Sequence, residues 1–258
     1  MGRAIIVANQ KGGVGKTTTV VNLSAYLAQE GKRTLVVDLD SQGNSCSGLG
    51  VAKEEGRKGL YEALLGFVDI DEIIRPTGIE NLSVIPSNIH LSGAQVELVG
   101  MQQREFRLKR VIERVKNTYE YIFIDSPPSL GLLTINGLVA SDSVIIPIQC
   151  EYYALEGLSQ LLKTINLVRQ RLNSELKLEG VLLTMYDTRT NLSKQVTEEI
   201  IAYFKNRVYK TVIPRNVKLA EAPSFGQPIS VYDPKSIGAV SYYNLSKEIV
   251  KNGEKSTG

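Results

Sequence analysis

Three polar segments of this chain, each following an apolar run, carry residue types suited to phosphate and metal chemistry. The first is NQKGGVGKTTT, residues 9–19. Glycines at 12, 13 and 15 let backbone N–H groups turn inward onto phosphate oxygens. A helix starting near Thr17 adds the positive end of its dipole. In such a loop, running from Lys11 through Gly12, Gly13, Val14, Gly15 and Lys16 to Thr18, Lys16 reaches the outer phosphates of a nucleotide. Thr17 ligates Mg²⁺ through its hydroxyl, and Thr18 adds a phosphate contact. The usual pattern, G-x-x-x-x-G-K-[ST], opens on glycine. Here Gln10 opens it, and a second cation, Lys11, stands beside Gln10. One nucleotide normally needs one loop lysine, so Lys11 requires a separate explanation. A glycine-rich turn that binds nothing is the competing reading; the G-K-T ending between a strand and a helix argues against it.

The second segment is YIFIDSPPS, 121–129. An apolar strand that ends in aspartate is where phosphate-loop enzymes place the residue holding Mg²⁺ and its waters, which assigns Asp125 to the metal. Pro127 and Pro128 make a stiff, non-helical stretch placed to sense a terminal phosphate. The third is VDLD, 37–40. Asp38 and Asp40 are two apart, so alternation puts them on one side of the strand. One can tie down a Mg²⁺-bound water while the other orients an attacking water. Spacing leaves that division open; Asp40, further into the loop, is assigned to the attacking water and Asp38 to the metal.

The elements that must position these segments are legible as periodicity. AIIVAN (4–9), RTLVVDLD (33–40), NLSVIPS (81–87), the run ending at Asp125, SVIIPIQC (143–150), LEGVLLTMYD (178–187) and VYKTVIP (208–214) read as strands. Helical spacing covers 17–29, 103–119, 154–172, 191–207 and 236–251, with short helical pieces at LYEALLG and DIDEIIR. Residues 41–59 are polar and glycine-rich and read as a loop. Strands alternating with helices predict an α/β fold, a mostly parallel sheet with helices on both faces. Ligands then sit at the carboxyl ends of the strands, where 10–18, 38–44 and 125–131 lie. One domain is expected over 1–252, followed by a polar tail at 253–258.

Composition narrows the function classes. The chain has 258 residues, is 43% hydrophobic and carries a net charge of +3. No apolar run approaches the ~20 residues of a membrane span, and a strand pattern begins too early to leave room for a cleaved leader. Cys46 and Cys150 have neither metal spacing nor a disulfide pattern, and the single histidine, His90, excludes His-rich metal sites. A cytoplasmic location is expected. Charge is uneven: residues 1–159 carry 15 basic and 18 acidic side chains, residues 160–258 carry 15 and 9. Such asymmetry marks either a polyanion-binding face or a plain solvated surface.

KGGVGKTTT, VDLDSQGN and IDSPPSLG together resemble the deviant Walker A ATPases, and more closely the ParA/Soj-type partitioning ATPases. The resemblance extends through CEYYALEGLSQLL, LLTMYDTRTN, YKTVIPRNVKLAEAPSFG and YDPKSIGA, nearly the whole chain. One departure is Ser41, where the family usually has proline after DxD. The resemblance implies a single P-loop NTPase domain that uses ATP and Mg²⁺, with Lys11, Lys16 and Asp40 catalytic. It also implies a homodimer that sandwiches two ATP molecules, Lys11 of each subunit reaching the opposite phosphates in the manner of an arginine finger. Gly12 would lie at the crowded junction. Met185, Pro214, Arg215 and Asn216 would contact adenine, and Glu151 a ribose. The ATP dimer is expected to bind double-stranded DNA without sequence preference. Arg189 matches the family's DNA contact, and Lys210, Lys218, Lys235, Lys247 and Lys251 are further candidates. A ParB-like centromere-binding partner would stimulate hydrolysis, giving a nucleoid-associated protein that does not bind membranes. The loop's place near residue 9 leaves no N-terminal DNA-binding extension, which points to a chromosomal or short plasmid type. A MinD-like membrane ATPase is the alternative; it needs a basic, strongly apolar C-terminal helix, which YYNLSKEIVKNGEKSTG does not offer. An iron-protein-like reductase needs cluster cysteines that Cys46 and Cys150 do not match.

Overall fold

Mostly apolar runs form the strands of one sheet in this computed structural model, which describes residues 2–52, 56–151 and 157–255. The strands are β1 (Arg3–Val7), β2 (Thr34–Asp38), β3 (Arg75–Pro76), β4 (Leu82–Ile85), β5 (Tyr121–Asp125), β6 (Ser143–Gln149) and β7 (Lys177–Thr184). Their order is β3-β4-β2-β5-β1-β6-β7, parallel throughout except for the β3–β4 edge pair.

Both faces of the sheet are buried, as the continuous apolar runs require. Along β1, Ala4 and Ile6 enter one core while Ile5 and Val7 enter the other; along β5, Ile122 and Ile124 oppose Tyr121 and Phe123 in the same way. The first core is covered by α3 (Leu60–Leu65), α4 (Leu91–Val99), α5 (Arg107–Glu113), α6 (Leu132–Ala140), α7 (Leu158–Arg171) and α8 (Asn191–Phe204). The second is covered by α1 (Lys16–Gln29), the short α9 (Val217–Glu221) and α10 (Ile229–Tyr232), and α11 (Ile237–Lys255). In α1 the expected inward residues Val20, Val21, Leu23, Leu27 and Ala28 are all buried.

Several expectations fail for identifiable reasons. Residues 208–214 form no regular strand, only single bridges of Val208 to Val181 and of Pro214 to Tyr186. The N–H groups of Lys210 and Thr211 instead donate to the Glu248 carboxylate on α11, at 2.9 and 3.1 Å, which diverts the chain from the sheet. The helix expected over 103–119 shrinks to a 3₁₀ turn at Arg104–Phe106 and α5. Beyond it the Lys116 and Glu120 carbonyls accept from Gly2 and Arg3, which pins the segment to the foot of β1. Residues 41–59 contain a short helix, α2 (Asn44–Gly48), and DIDEIIR yields one 3₁₀ turn and the edge strand β3. The closing helix runs past 251 to Lys255, and Gly253 is buried, so the expected boundary at 252 falls inside a helix. The first part of the helix expected from 154 lies outside the described residues.

Candidate active site

Parallel pairing brings the three polar segments together. Asp125, the last residue of β5, is in register with Val7 of β1 on one side and Asp38 of β2 on the other. The phosphate loop leaves β1 there and enters α1. Gly13 and Gly15 have φ of +73° and +88°, a left-handed backbone that side chains disfavour. Gly15 caps α1 and brings no side chain of its own to the cap, leaving first-turn N–H groups aimed outward, an anion-binding arrangement. Two hydrogen bonds anchor the loop from outside: Thr184 Oγ1 donates to the Val14 carbonyl at 2.9 Å, and Asn9 Oδ1 accepts from the Lys11 N–H at 3.0 Å. Asn9 is itself held by its Nδ2 on the Pro147 carbonyl at 2.7 Å.

The two lysines occupy different environments. Lys16 is buried, its Nζ donating to the Lys11 carbonyl at 3.0 Å. Burial lowers its pKa, and Asp125 and Asp40 partly offset this. Lys11 is half-exposed, and among the described residues no carboxylate pairs with it.

Behind the loop stand two fully buried carboxylates. Thr17 Oγ1 and Ser45 Oγ, on α2, both donate to Asp125 Oδ2 at 2.7 Å, while Asp125 Oδ1 is buried with no hydrogen-bond partner among the described residues. Asp38 accepts from the Cys46 N–H at 3.1 Å and the Asp40 N–H at 3.3 Å, which folds the 40–46 segment over the site. Burial raises the pKa of both groups. Asp125 raises Asp38 further, and Ser45, Thr17 and Lys16 partly counter the rise at Asp125. An unpaired buried oxygen, a neighbouring carboxylate and a threonine hydroxyl fit a divalent cation. No cluster of three or more metal-ligating side chains exists among the described residues. Mg²⁺ would therefore be held by Thr17 and by ligand oxygens and water, with Asp125 behind Thr17, as suits this ion. Asp40 is half-exposed; its Oδ1 accepts from the Gln42 N–H at 3.0 Å, and its charge reaches both Lys16 and Asp125.

On the base side, Met185 follows β7 with φ +51°, uncommon for a non-glycine residue. Tyr186 pairs with Pro214, and the Arg215 N–H donates to the Tyr186 carbonyl at 3.0 Å, so Met185 and the 214–216 loop are neighbours. Asn216 caps α9 through its Oδ1, and Arg215 Nη2 donates to Glu151 at 2.9 Å.

The six candidate DNA cations are not one patch. Arg189 lies in the loop at the carboxyl end of β7, bonded to Asp187. Lys218 is tied to Glu221 at 2.9 Å and lies over the Tyr232 ring, with Lys235 in the turn that follows Asp233. Lys247 pairs with Glu30 at 2.8 Å, beyond the last turn of α1, at the opposite end of the sheet, and Lys251 is one turn further along α11. Lys210 is exposed beside Glu248. Sequence reasoning missed Ser45, Asn9 and Thr184. Ser45 carries no local signal, and Thr184 signals only as a buried polar residue at the end of an apolar strand.

Fold and loop together define a P-loop ATPase. A family model described as an AAA domain matches residues 2–178. The sporulation initiation inhibitor protein Soj of Bacillus subtilis is 61% identical over 253 residues, 98% of this chain and 100% of the relative. The chromosome partitioning protein ParA of Myxococcus xanthus is 55% identical over 251 residues, 97% of this chain and 89% of the relative. A solved structure of cobyrinic acid a,c-diamide synthase from Mycobacterium smegmatis, with bound ADP and magnesium, matches with a TM-score of 0.88 and 38% identity, covering 99% of this chain and 97% of that one. The chain belongs to the ParA/Soj family of chromosome-partitioning ATPases. No described helix is long and apolar enough to cross a membrane.

Proposed function

We propose that this ATPase is a partitioning switch in which ATP and Mg²⁺ close two copies of the chain into a DNA-binding dimer, and hydrolysis reopens it. The observation that carries the reading is the division of labour between the lysines. Lys16 is buried inside its own loop, while Lys11 stands half-exposed on the outer side, held by its backbone. A cation so placed can serve a phosphate presented by a facing subunit, where it adds transition-state charge only on closure.

Within one site the chain's residues take separate tasks. N–H groups of Gly13 to Lys16 and the end of α1 cradle the phosphates. Thr17 would hold Mg²⁺ through its hydroxyl, which Asp125 keeps in place, and the bound ion would supply charge that neutralises the phosphates. Asp38, in register beside Asp125, would tie down a water on Mg²⁺, and it also shapes the loop that carries Asp40. Asp40 orients the water that attacks the terminal phosphate. Adenine lies against Met185 and the 214–216 loop, with Glu151 at the ribose. Arg189 contacts DNA phosphates, and the closed dimer doubles every such contact. Lys218 and Lys235 extend the Arg189 end; Lys210, Lys247 and Lys251 are secondary candidates. A ParB-like partner at the centromere stimulates hydrolysis, and the ATP form associates with the nucleoid.

The test is binding to random-sequence duplex DNA with ATP, with ADP and without nucleotide, for the unaltered chain and Arg189→Glu. The expected result is binding with ATP only, lost in the variant, and weakening with salt at a log–log slope of about −0.9 per phosphate neutralised. Equal binding in all three states, or ATP-dependent pelleting with anionic vesicles in place of DNA binding, overturns the reading.

A further inference from the structure

Four charged side chains of alternating sign run from the base side of the site to the DNA-assigned arginine. Glu151 accepts from Arg215 Nη2 at 2.9 Å. Arg189 forks onto Asp187, Nε to Oδ1 at 2.9 Å and Nη2 to Oδ2 at 2.7 Å, and its backbone N–H adds a third bond to Oδ1 at 3.0 Å. Asp187 lies within the field of Arg215 as well as Arg189, and these contacts hold its carboxyl well below the usual range. The bridge between Tyr186 and Pro214, with the Arg215 N–H on the Tyr186 carbonyl, sets Asp187 and Arg215 on adjacent strands of chain.

The Arg189 side chain is 82% exposed, yet its fork is occupied. A guanidinium bonded through two N–H groups to a carboxylate presents a neutral pair, not a cation, to an approaching phosphate. Dedicated phosphate contacts gain from a free fork, so an acidic residue two positions away is a feature that the DNA reading alone does not explain.

We propose that Asp187 is the internal counter-ion that sets how strongly Arg189 grips DNA, and that Arg215 competes for it from the nucleotide side. The proposal rests on the assignment of Arg189 to DNA. While Arg215 is tied to Glu151, Asp187 belongs to Arg189. A ligand hydroxyl that takes Glu151 loosens Arg215, Asp187 becomes shared between two cations, and the Arg189 fork is released toward phosphate. Asp187 is thus a positioning residue that couples occupancy of the base side to the DNA face. Exposed ion pairs are weak, so the effect is a tuning of about two- to fivefold per protomer, not an all-or-none gate.

The test compares fluorescent duplex DNA binding at saturating ATP for the full chain and for Asp187→Asn, Arg189→Ala, the double variant, and Arg215→Gln with and without Asp187→Asn. Asparagine keeps the Oδ1 acceptor for the Arg189 N–H, so the turn is preserved, and basal ATP hydrolysis without DNA should not change in Asp187→Asn. The expected result is DNA binding tightened about two- to fivefold by Asp187→Asn. That gain should vanish in the Arg189→Ala background, and Arg215→Gln, which removes the competitor for Asp187, should weaken binding only when Asp187 is present. An equal gain with Arg189 absent would reduce the effect to generic charge removal and overturn the proposal. Unchanged or weaker binding in Asp187→Asn also overturns it, while leaving Arg189 as a DNA contact. No loss in Arg189→Ala alone would instead remove the DNA assignment itself.

Discussion

Replacing Gly12 by valine should separate nucleotide binding from subunit closure. Within the folded chain the site is permissive. A Cβ built at position 12 meets only Pro128 Cβ, at 3.9 Å, an ordinary contact, and φ there is not in the left-handed region. Gly12 is also exposed. Fold stability should therefore change by no more than about 0.5 kcal/mol, about 1–2 °C in Tm for a domain of this size. Closure is different. If two phosphate loops meet across a two-fold axis, each misfit occurs twice. Overpacking costs about 1–3 kcal/mol per site, so the closed dimer loses about 2–6 kcal/mol, which is about 30-fold to more than about 10,000-fold in its dissociation constant. The assays are fluorescent-nucleotide titration, thermal melting and light scattering with ATP and Mg²⁺. Nucleotide affinity within about twofold of the unaltered chain, with no ATP dimer and DNA binding at the ADP level, is the expected outcome. Gly13→Val is the contrast. Nothing lies within 4 Å of its Cβ, but φ is +73°, and the strain of about 1–2 kcal/mol should lower Tm by about 2–8 °C. A Gly12→Val chain that dimerises normally, or that folds but cannot bind nucleotide, would refute the reasoning.

The raised pKa values of Asp38 and Asp125 make nucleotide-free stability depend on pH. Above the ordinary carboxylate range, near pH 4, the folded chain keeps a proton that the unfolded chain has released. This contribution is therefore full in acid and is lost as pH rises toward and through neutrality. The slope is about 1.4 kcal/mol per pH unit for one retained proton. Tm of the nucleotide-free chain should fall between pH 5 and pH 7.5, and Asp38→Asn should flatten that fall; a parallel profile in the variant would count against the pair. Ser45→Ala deletes a 2.7 Å bond to a buried carboxylate, and urea unfolding should show a loss of about 2 kcal/mol, against no change if Asp125 is satisfied without it. Thr184→Val keeps the shape but drops the bond to the Val14 carbonyl. Nucleotide titration should show affinity lower by about fivefold, equivalent to about 1 kcal/mol, and an unchanged value would mean that the loop does not need this outside anchor.

What the sequence determined by itself is what local chemistry encodes. Gly13, Gly15, Lys16 and Thr17 announce a phosphate loop because backbone freedom, a helix start and a cation on a flexible stem are properties of neighbours in the chain. The apolar runs at β1, β5 and β6 announce burial on both faces for the same reason, since alternation is absent where neither side meets water. Asp38, Asp40 and Asp125 were legible as carboxylates at strand ends. Their pairing, however, was decided by the tertiary structure: β2 and β5 are neighbours in space though more than 80 residues apart in the chain, and only that register sets two carboxylates side by side. The same holds for Ser45 on Asp125, for Thr184 on the phosphate loop and for the Glu151–Arg215 pair, each joining residues from distant segments. Residues 208–214 have a strand's composition, yet Glu248 takes two of their N–H groups and the ladder to β7 is interrupted, leaving only single bridges at its two ends. The C-terminal charge excess was legible as a sum, but it is scattered over both ends of the sheet and partly neutralised by Glu30, Glu221 and Asp187. A sum of charges carries no positions; those come only from the way the chain packs.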